Sequence, residues 1–306
     1  MKVLFFSIAY MILKFEMVPR HISERLCVLR GYGIFLSLCC LIACCLTAPA
    51  MAASQWDNND YAQTRLILGG YDRERQELYL GWHVRLTPGW KTYWRSPGDA
   101  GLPPRWSWNE MSNVQEVELF WPTPEKYSIF GMETYVYTYE VVLPMTLRLD
   151  DVGRPTVLDL GIEYMVCKDI CVPLQARHQL TVPPLAGTQI NSDEAVLYAH
   201  YQSLLPRVHD TNTQPFFKLR HVEAGKLRLS VTNNTPVQKE TTVLIEGPEG
   251  VTFSVPQPAV TEGGRLFFDI YYQLDDETLT LNGQNVRLTY IPGRGQAIET
   301  VVVVEP

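Results

Sequence analysis

Positive charge is in short supply: 26 Lys and Arg stand against 33 Asp and Glu in 306 residues, a net charge of −7. Gripping a phosphate backbone takes clustered Lys and Arg, so this balance argues against nucleic acid as a partner. The chain also lacks a Gly-x-Ser-x-Gly elbow, a phosphate-binding glycine loop and a dinucleotide fingerprint. It has no repeat of fixed period and no low-complexity tract. His83, His178, His200, His209 and His221 show no paired metal spacing, and each is expected to be a surface or half-buried residue rather than a ligand. Cysteine is scarcest where it would matter most. Of seven, Cys27, Cys39, Cys40, Cys44 and Cys45 fall near the amino terminus, which leaves Cys167 and Cys171 for the rest of the chain.

What is present begins with an export signal. Lys2, Lys14, Arg20, Arg25 and Arg30 precede an apolar and small-residue run over 34–53, which ends in Ala48-Pro49-Ala50-Met51-Ala52-Ala53-Ser54. That is the layout of a cleavable leader, so residues 1–53 are expected to leave. Two other fates stay open. Leu41-Ile42-Ala43-Cys44 resembles a lipobox, which would make a lipoprotein at Cys44, and about 20 apolar residues can just span a bilayer as an uncleaved anchor. Removal takes five Lys/Arg and two Asp/Glu with it and moves the net charge from −7 to −10. The remaining stretch, about 250 residues, has enough chain for two domains with real cores and needs no disulfide to fold.

Period two dominates that stretch. Leu78, Leu80, Trp82, Val84 and Leu86 alternate with Glu77, Tyr79, Gly81, His83 and Arg85, which predicts a strand with one buried face. Similar runs occupy 114–120, 134–143, 156–166 and 174–182, with turn signals such as Thr87-Pro88-Gly89 between them. Short strands without intervening helices predict an antiparallel sandwich over 54–183. Val182-Pro183-Pro184-Leu185-Ala186-Gly187 reads as a linker. A second domain over 184–306 is predicted to open on a helix running from a Ser192 cap to just before Pro206. Strands expected at 216–221, 226–232, 241–246, 264–272, 278–281, 285–291 and 297–304 would make this a smaller β-sandwich. The fold class expected is therefore all-β.

The cysteine pair is the chemistry-bearing feature. Two cysteines this close tend to join in an oxidising compartment, and the spacing alone supports two readings. One is a structural staple in a non-catalytic binding module, although closing about five residues should give only about 2 kcal/mol, against about 4.7 for a 100-residue loop. A short, strained bridge is also the kind that reduces readily and serves in exchange. Lys168 favours a thiolate and Asp169 opposes it, so the immediate neighbours leave both readings open. A third reading is copper held by Cys167, Cys171 and Met165 or His178, since soft sulfur suits Cu(I).

The motifs around the pair point one way. The run from Gly89-Trp90-Lys91-Thr92-Tyr93-Trp94 through Ser96-Pro97-Gly98-Asp99-Ala100-Gly101-Leu102-Pro103-Pro104, then Trp121-Pro122-Thr123-Pro124, then Tyr164-Met165-Val166-Cys167-Lys168-Asp169-Ile170-Cys171-Val172-Pro173, resembles the periplasmic amino-terminal domain of DsbD-type thiol:disulfide interchange proteins. The likeness covers about 60–183 and lies nearest the copper-sensitivity-suppressor, ScsB-like branch.

That resemblance implies an immunoglobulin-like sandwich in the periplasm, with Cys167 and Cys171 as the redox pair. It implies that Cys171 attacks the partner and Cys167 resolves, in the role of a protein-disulfide reductase component without metal or cofactor. The partners implied are a membrane-embedded DsbD-like thiol reductase and periplasmic thioredoxin-like or disulfide isomerase proteins. Membrane contact would come only through a partner or a retained or lipidated leader. A cap loop is implied at Ile129, Phe130 and Gly131, with Phe130 or Ile129 as the shield. Tyr93, Trp94, Lys168 and Asp169 are candidate neighbours of the pair, while Trp90, Trp94, Trp106, Trp108 and Trp121 as a set read as core or as a docking surface. Two features depart from the family: its best-known members place five residues between the cysteines, where this chain has three, and no transmembrane bundle or Cys-x-x-Cys domain follows, so a reductant is expected from another polypeptide.

Overall fold

A computed structural model describes residues 52–129, 131–185, 192–210, 212–213, 215–232, 241–257, 260–262, 265–276, 278–293 and 295–306. Strands β1 (Asp57–Asn58), β2 (Ala62–Asp72), β3 (Glu77–Leu86), β4 (Lys91–Gly98) and β5 (Arg105–Ser112) come first. They are followed by β6 (Val114–Leu119), β7 (Glu125–Ile129), β8 (Met132–Thr138), β9 (Glu140–Leu149), β10 (Thr156–Cys167) and β11 (Cys171–Val182). After helix α1 (Asp193–Ser203) lie β12 (Arg207–Val208), β13 (Phe216–Glu223), β14 (Lys226–Thr232), β15 (Thr242–Glu246) and β16 (Val251–Phe253). The chain closes with β17 (Val260–Glu262), β18 (Arg265–Leu274), β19 (Asn285–Ile291) and β20 (Ile298–Glu305).

The fold is all-β, and its first part is an immunoglobulin-like sandwich. One sheet runs β1-β2-β3-β9-β6; the facing sheet runs β11-β10-β4-β8-β7, with β5 also paired to β10. Alternation decides which side chains meet between them. Leu78, Leu80, Trp82 and Val84 of β3 face Leu158, Leu160, Ile162 and Tyr164 of β10 in one core. Trp82 sits edge-on to both Trp106 and Tyr164, a geometry that adds to simple burial.

The other face of β3 is covered too, which corrects the single buried face expected from its alternation. Ile67, Val142 and Tyr198 of α1 form a small cluster there, and Trp56 lies 4.9 Å from the His83 ring. Helix α1 begins where the sequence places it: Ser192 Oγ accepts from Ala195 N at 3.2 Å, an N-cap bond. Although it lies beyond the Pro183-Pro184 break, α1 is seated on the first sandwich. Glu194 pairs with Arg65 at 3.3 Å, and Tyr201 Oη donates to Glu140 O at 2.7 Å.

The remaining strands form a nine-stranded sheet, β15-β19-β20-β13-β14-β18-β16, with β12 paired to β20 and β17 to β18. It encloses a second core around Leu227, Leu229, Phe268, Val286 and Leu288. The segment 278–281, expected as a strand, forms none: it opens on a turn, where Thr278 N donates to Asp276 Oδ1 at 2.7 Å, and continues without regular structure. Sandwich and third sheet meet at β4, where Arg95 holds Glu246 at 2.8 Å and also Glu299. Leu244 and Val255 complete the first core from the other side.

Candidate functional site

The pair sits at the tip of the β10–β11 hairpin. Twelve consecutive residue pairs join these strands, from Thr156↔Val182 to Cys167↔Cys171, so the cysteines face one another across the last rung. Lys168, Asp169 and Ile170 make the loop, closed by Lys168 N donating to Ile170 O at 3.0 Å. A disulfide joins the cysteines, whose Cα atoms are 4.1 Å apart. The two differ in access: Cys167 is 1% exposed and Cys171 is exposed.

Burial of Cys167 follows from the register of β4. Lys91 lies opposite both Cys167 and Thr138, which sets Cys171, Cys167, Lys91 and Thr138 in one row on one face of the sheet. Behind that row, Tyr93, Val136 and Met165 enclose Cys167 in a cluster of its own. Tyr93 Oη lies 3.8 Å from Cys171 Sγ, and burial pushes its pKa up, so it stays a neutral phenol. Gly101 permits this placement: it has φ of +105°, and a Cβ there would come within 2.1 Å of the Tyr93 ring. Thr92 Oγ1 donates to Met165 O at 3.0 Å and fixes β4 against β10. The Lys168 side chain lies across Gly89, while Asp169 is exposed.

Of the sequence-predicted neighbours, then, Tyr93, Lys168 and Asp169 are at the pair. Trp94 is not: alternation along β4 turns it into the main core, edge-on to Tyr135. Phe130 lies outside the described residues. Ile129 ends β7 opposite Met132, and Gly131 follows in an exposed turn with φ of +79°. Tyr127, two residues before Ile129, reaches the site, its ring centroid 4.3 Å from Lys91 Nζ. Lys91, Tyr127 and Gly101 were missed as site residues, although Lys91 and Gly101 stand within the motif that carries the resemblance.

His178 is corrected twice. It is buried, and it lies seven residues along β11 from Cys171, on the order of 20 Å at strand rise, too far to share a metal with the pair. Among the described residues no three His, Cys, Asp or Glu side chains group as metal ligands. His83 and His209 are also buried rather than superficial. A cleft of about 490 Å³ is lined by Met165 and Pro173, each two residues along the hairpin from a cysteine, together with Leu102 and Pro103.

The site is thus a hairpin-tip disulfide between one buried and one exposed cysteine, set on an immunoglobulin-like sandwich. Residues 70–183 match the family described as thiol:disulfide interchange protein DsbD, N-terminal. Among solved structures, the N-terminal periplasmic domain of ScsB from Proteus mirabilis is similar, with a TM-score of 0.65 and 22% identity over 82% of this chain and 98% of that one. At that identity the likeness speaks for the fold. Comparison with curated proteins finds no match. No helix among the described residues is long and apolar enough to cross a membrane.

Proposed function

We propose that the chain is a periplasmic thiol–disulfide exchange module that relays two electrons between protein partners through Cys167 and Cys171. In this reading residues 1–53 are the export leader, 54–183 the redox domain and 184–306 a second β domain. The Cys171 thiolate attacks a partner disulfide, forming a mixed disulfide and releasing one partner thiolate. Cys167 then attacks Cys171 Sγ, the mixed bond breaks toward the partner, and the partner leaves as a dithiol while the Cys167–Cys171 bond re-forms. A membrane-embedded DsbD-like reductase would restore the dithiol, and thioredoxin-like or isomerase proteins would receive the electrons.

The observation that carries this reading is the unequal burial of the two cysteines: Cys171 is exposed toward a partner, while Cys167 is packed with Tyr93 and Val136. A staple is the weaker alternative. Twelve ladder pairs already fix the hairpin, and so short a loop returns only about 2 kcal/mol.

The test is trapping in cells. A Cys167→Ser variant should accumulate a covalent complex with its redox partner, because the attacking sulfur remains and the resolving one is gone, while Cys171→Ser should trap little. Yields the other way round would exchange the roles. If neither variant trapped anything, the staple reading would replace this one.

A further inference from the structure

Lys91 is a buried lysine, 4% exposed, placed directly opposite Cys167. Residues opposed in an antiparallel pair share a face, with Cβ atoms about 4.5–5.5 Å apart, so its side chain and the Cys167 sulfur leave the sheet side by side. The amine has weak partners. It donates to Cys167 O at 3.5 Å and sits over the Tyr127 ring. Among the described residues no carboxylate lies within ion-pair distance of it. The charges that reach it are Asp169 and Lys168 of the hairpin loop, opposite in sign. The other groups packed around it are neutral Tyr93 and Thr138, and the nearby Glu125 carboxylate is bound by Thr138 Oγ1 at 2.9 Å. Burial lowers the Lys91 pKa, with Asp169 only partly offsetting it, as expected of a cation short of an anion.

We propose that Lys91 is the charge-stabilising residue of the pair: its ammonium lacks an anion while the cysteines are joined and gains one, the Cys167 thiolate, when they part. This deepens the exchange reading and rests on it. When a reductant's thiolate attacks exposed Cys171, a bond forms between the two sulfurs and the Cys167–Cys171 bond breaks. The bonding electron pair leaves on Cys167, beside Lys91. A lower leaving-group pKa speeds that step, and a neighbouring lysine is one of the means by which proteins lower it. Coupling runs both ways, so the thiolate must in turn raise the proton affinity of Lys91.

Two measurements on the whole chain, reduced chemically and without any partner, test this. In the first, thiolate absorbance is followed against pH. With Cys167 resolved by a Cys171→Ser background, Lys91→Met should move its titration up by about one pH unit, a roughly tenfold loss of thiolate at a given pH below it, and Lys91→Arg should restore most of the shift. In the second, the Lys91 amine of the unaltered protein is titrated by NMR in both redox states, and it should titrate higher in the reduced one. This arm decides alone should Lys91→Met fail to fold. A folded Lys91→Met with the same sulfur titration as the parent, or an amine indifferent to reduction, would overturn the proposal. Failure of partner trapping, by contrast, would leave both results standing and would count against the relay only.

Discussion

Between pH 6.5 and pH 4 the protein is expected to lose about 3 kcal/mol of stability from His178 alone, because burial pushes the pKa of this imidazole down to about 4. His178 faces inward on β11 and shares a hydrogen bond with Thr64 Oγ1 at 3.0 Å across the sandwich. Its folded-state pKa lies below the unfolded value, so above pH 6.5 both states are neutral and the stabilisation is whole. As pH falls from 6.5 through 4, the unfolded chain takes up a proton that the folded one refuses, and stability drops over that window. His83 adds to the same slope: burial lowers its pKa although Glu140 accepts from its ring at 2.7 Å. Denaturant unfolding at stepped pH measures the loss. A His178→Gln variant, which cannot titrate there, should show a flatter profile. An identical slope in the variant would remove His178 as the cause.

Replacing Gly69 with alanine should cost about 1–3 kcal/mol, the range for overpacking a filled site. A Cβ at Gly69 would lie 2.3 Å from Cγ of Tyr198, and that ring is buried between α1 and the β2–β3–β9 sheet. Gly81 admits the same ring from the neighbouring strand, its own Cβ position 2.4 Å from Val142 Cγ1. The clash cannot be relieved locally, so α1 must shift off the sheet. Tyr198→Ala alone should cost about 3–5 kcal/mol through the lost ring, and in that background Gly69→Ala should cost close to nothing. Urea unfolding of the two single variants and the double variant gives the coupling. Costs that simply add would mean that Tyr198 is not what Gly69 accommodates.

Much of this was legible in the sequence, and the misses share a cause. Regular alternation marked β3 and the β10–β11 hairpin, and Ser192 with Pro206 bracketed α1. Strand β4 shows no alternation in Lys91-Thr92-Tyr93-Trp94, because all four side chains are buried, odd positions toward the cysteines and even ones elsewhere. A strand covered on both faces loses the period-two signal. His83 looked superficial because its partners, Trp56, Arg65 and Glu140, come from elsewhere in the sequence. The burial of His178 could have been found, since Leu174, Ala176, His178, Leu180 and Val182 put it in the inward row. At the pair itself, Cys167 and Cys171 were plain by elimination, whereas Lys91 entered the site only through the β4–β10 register, which pairs residues 76 positions apart.

The most direct test of the exchange reading is the redox state of Cys167 and Cys171 in growing cells, read by acid quenching, thiol alkylation and gel shift. A relay should be found as a mixture of dithiol and disulfide, moving toward the disulfide when the reductase proposed as its electron donor is removed. A pair fully oxidised under every condition would contradict it.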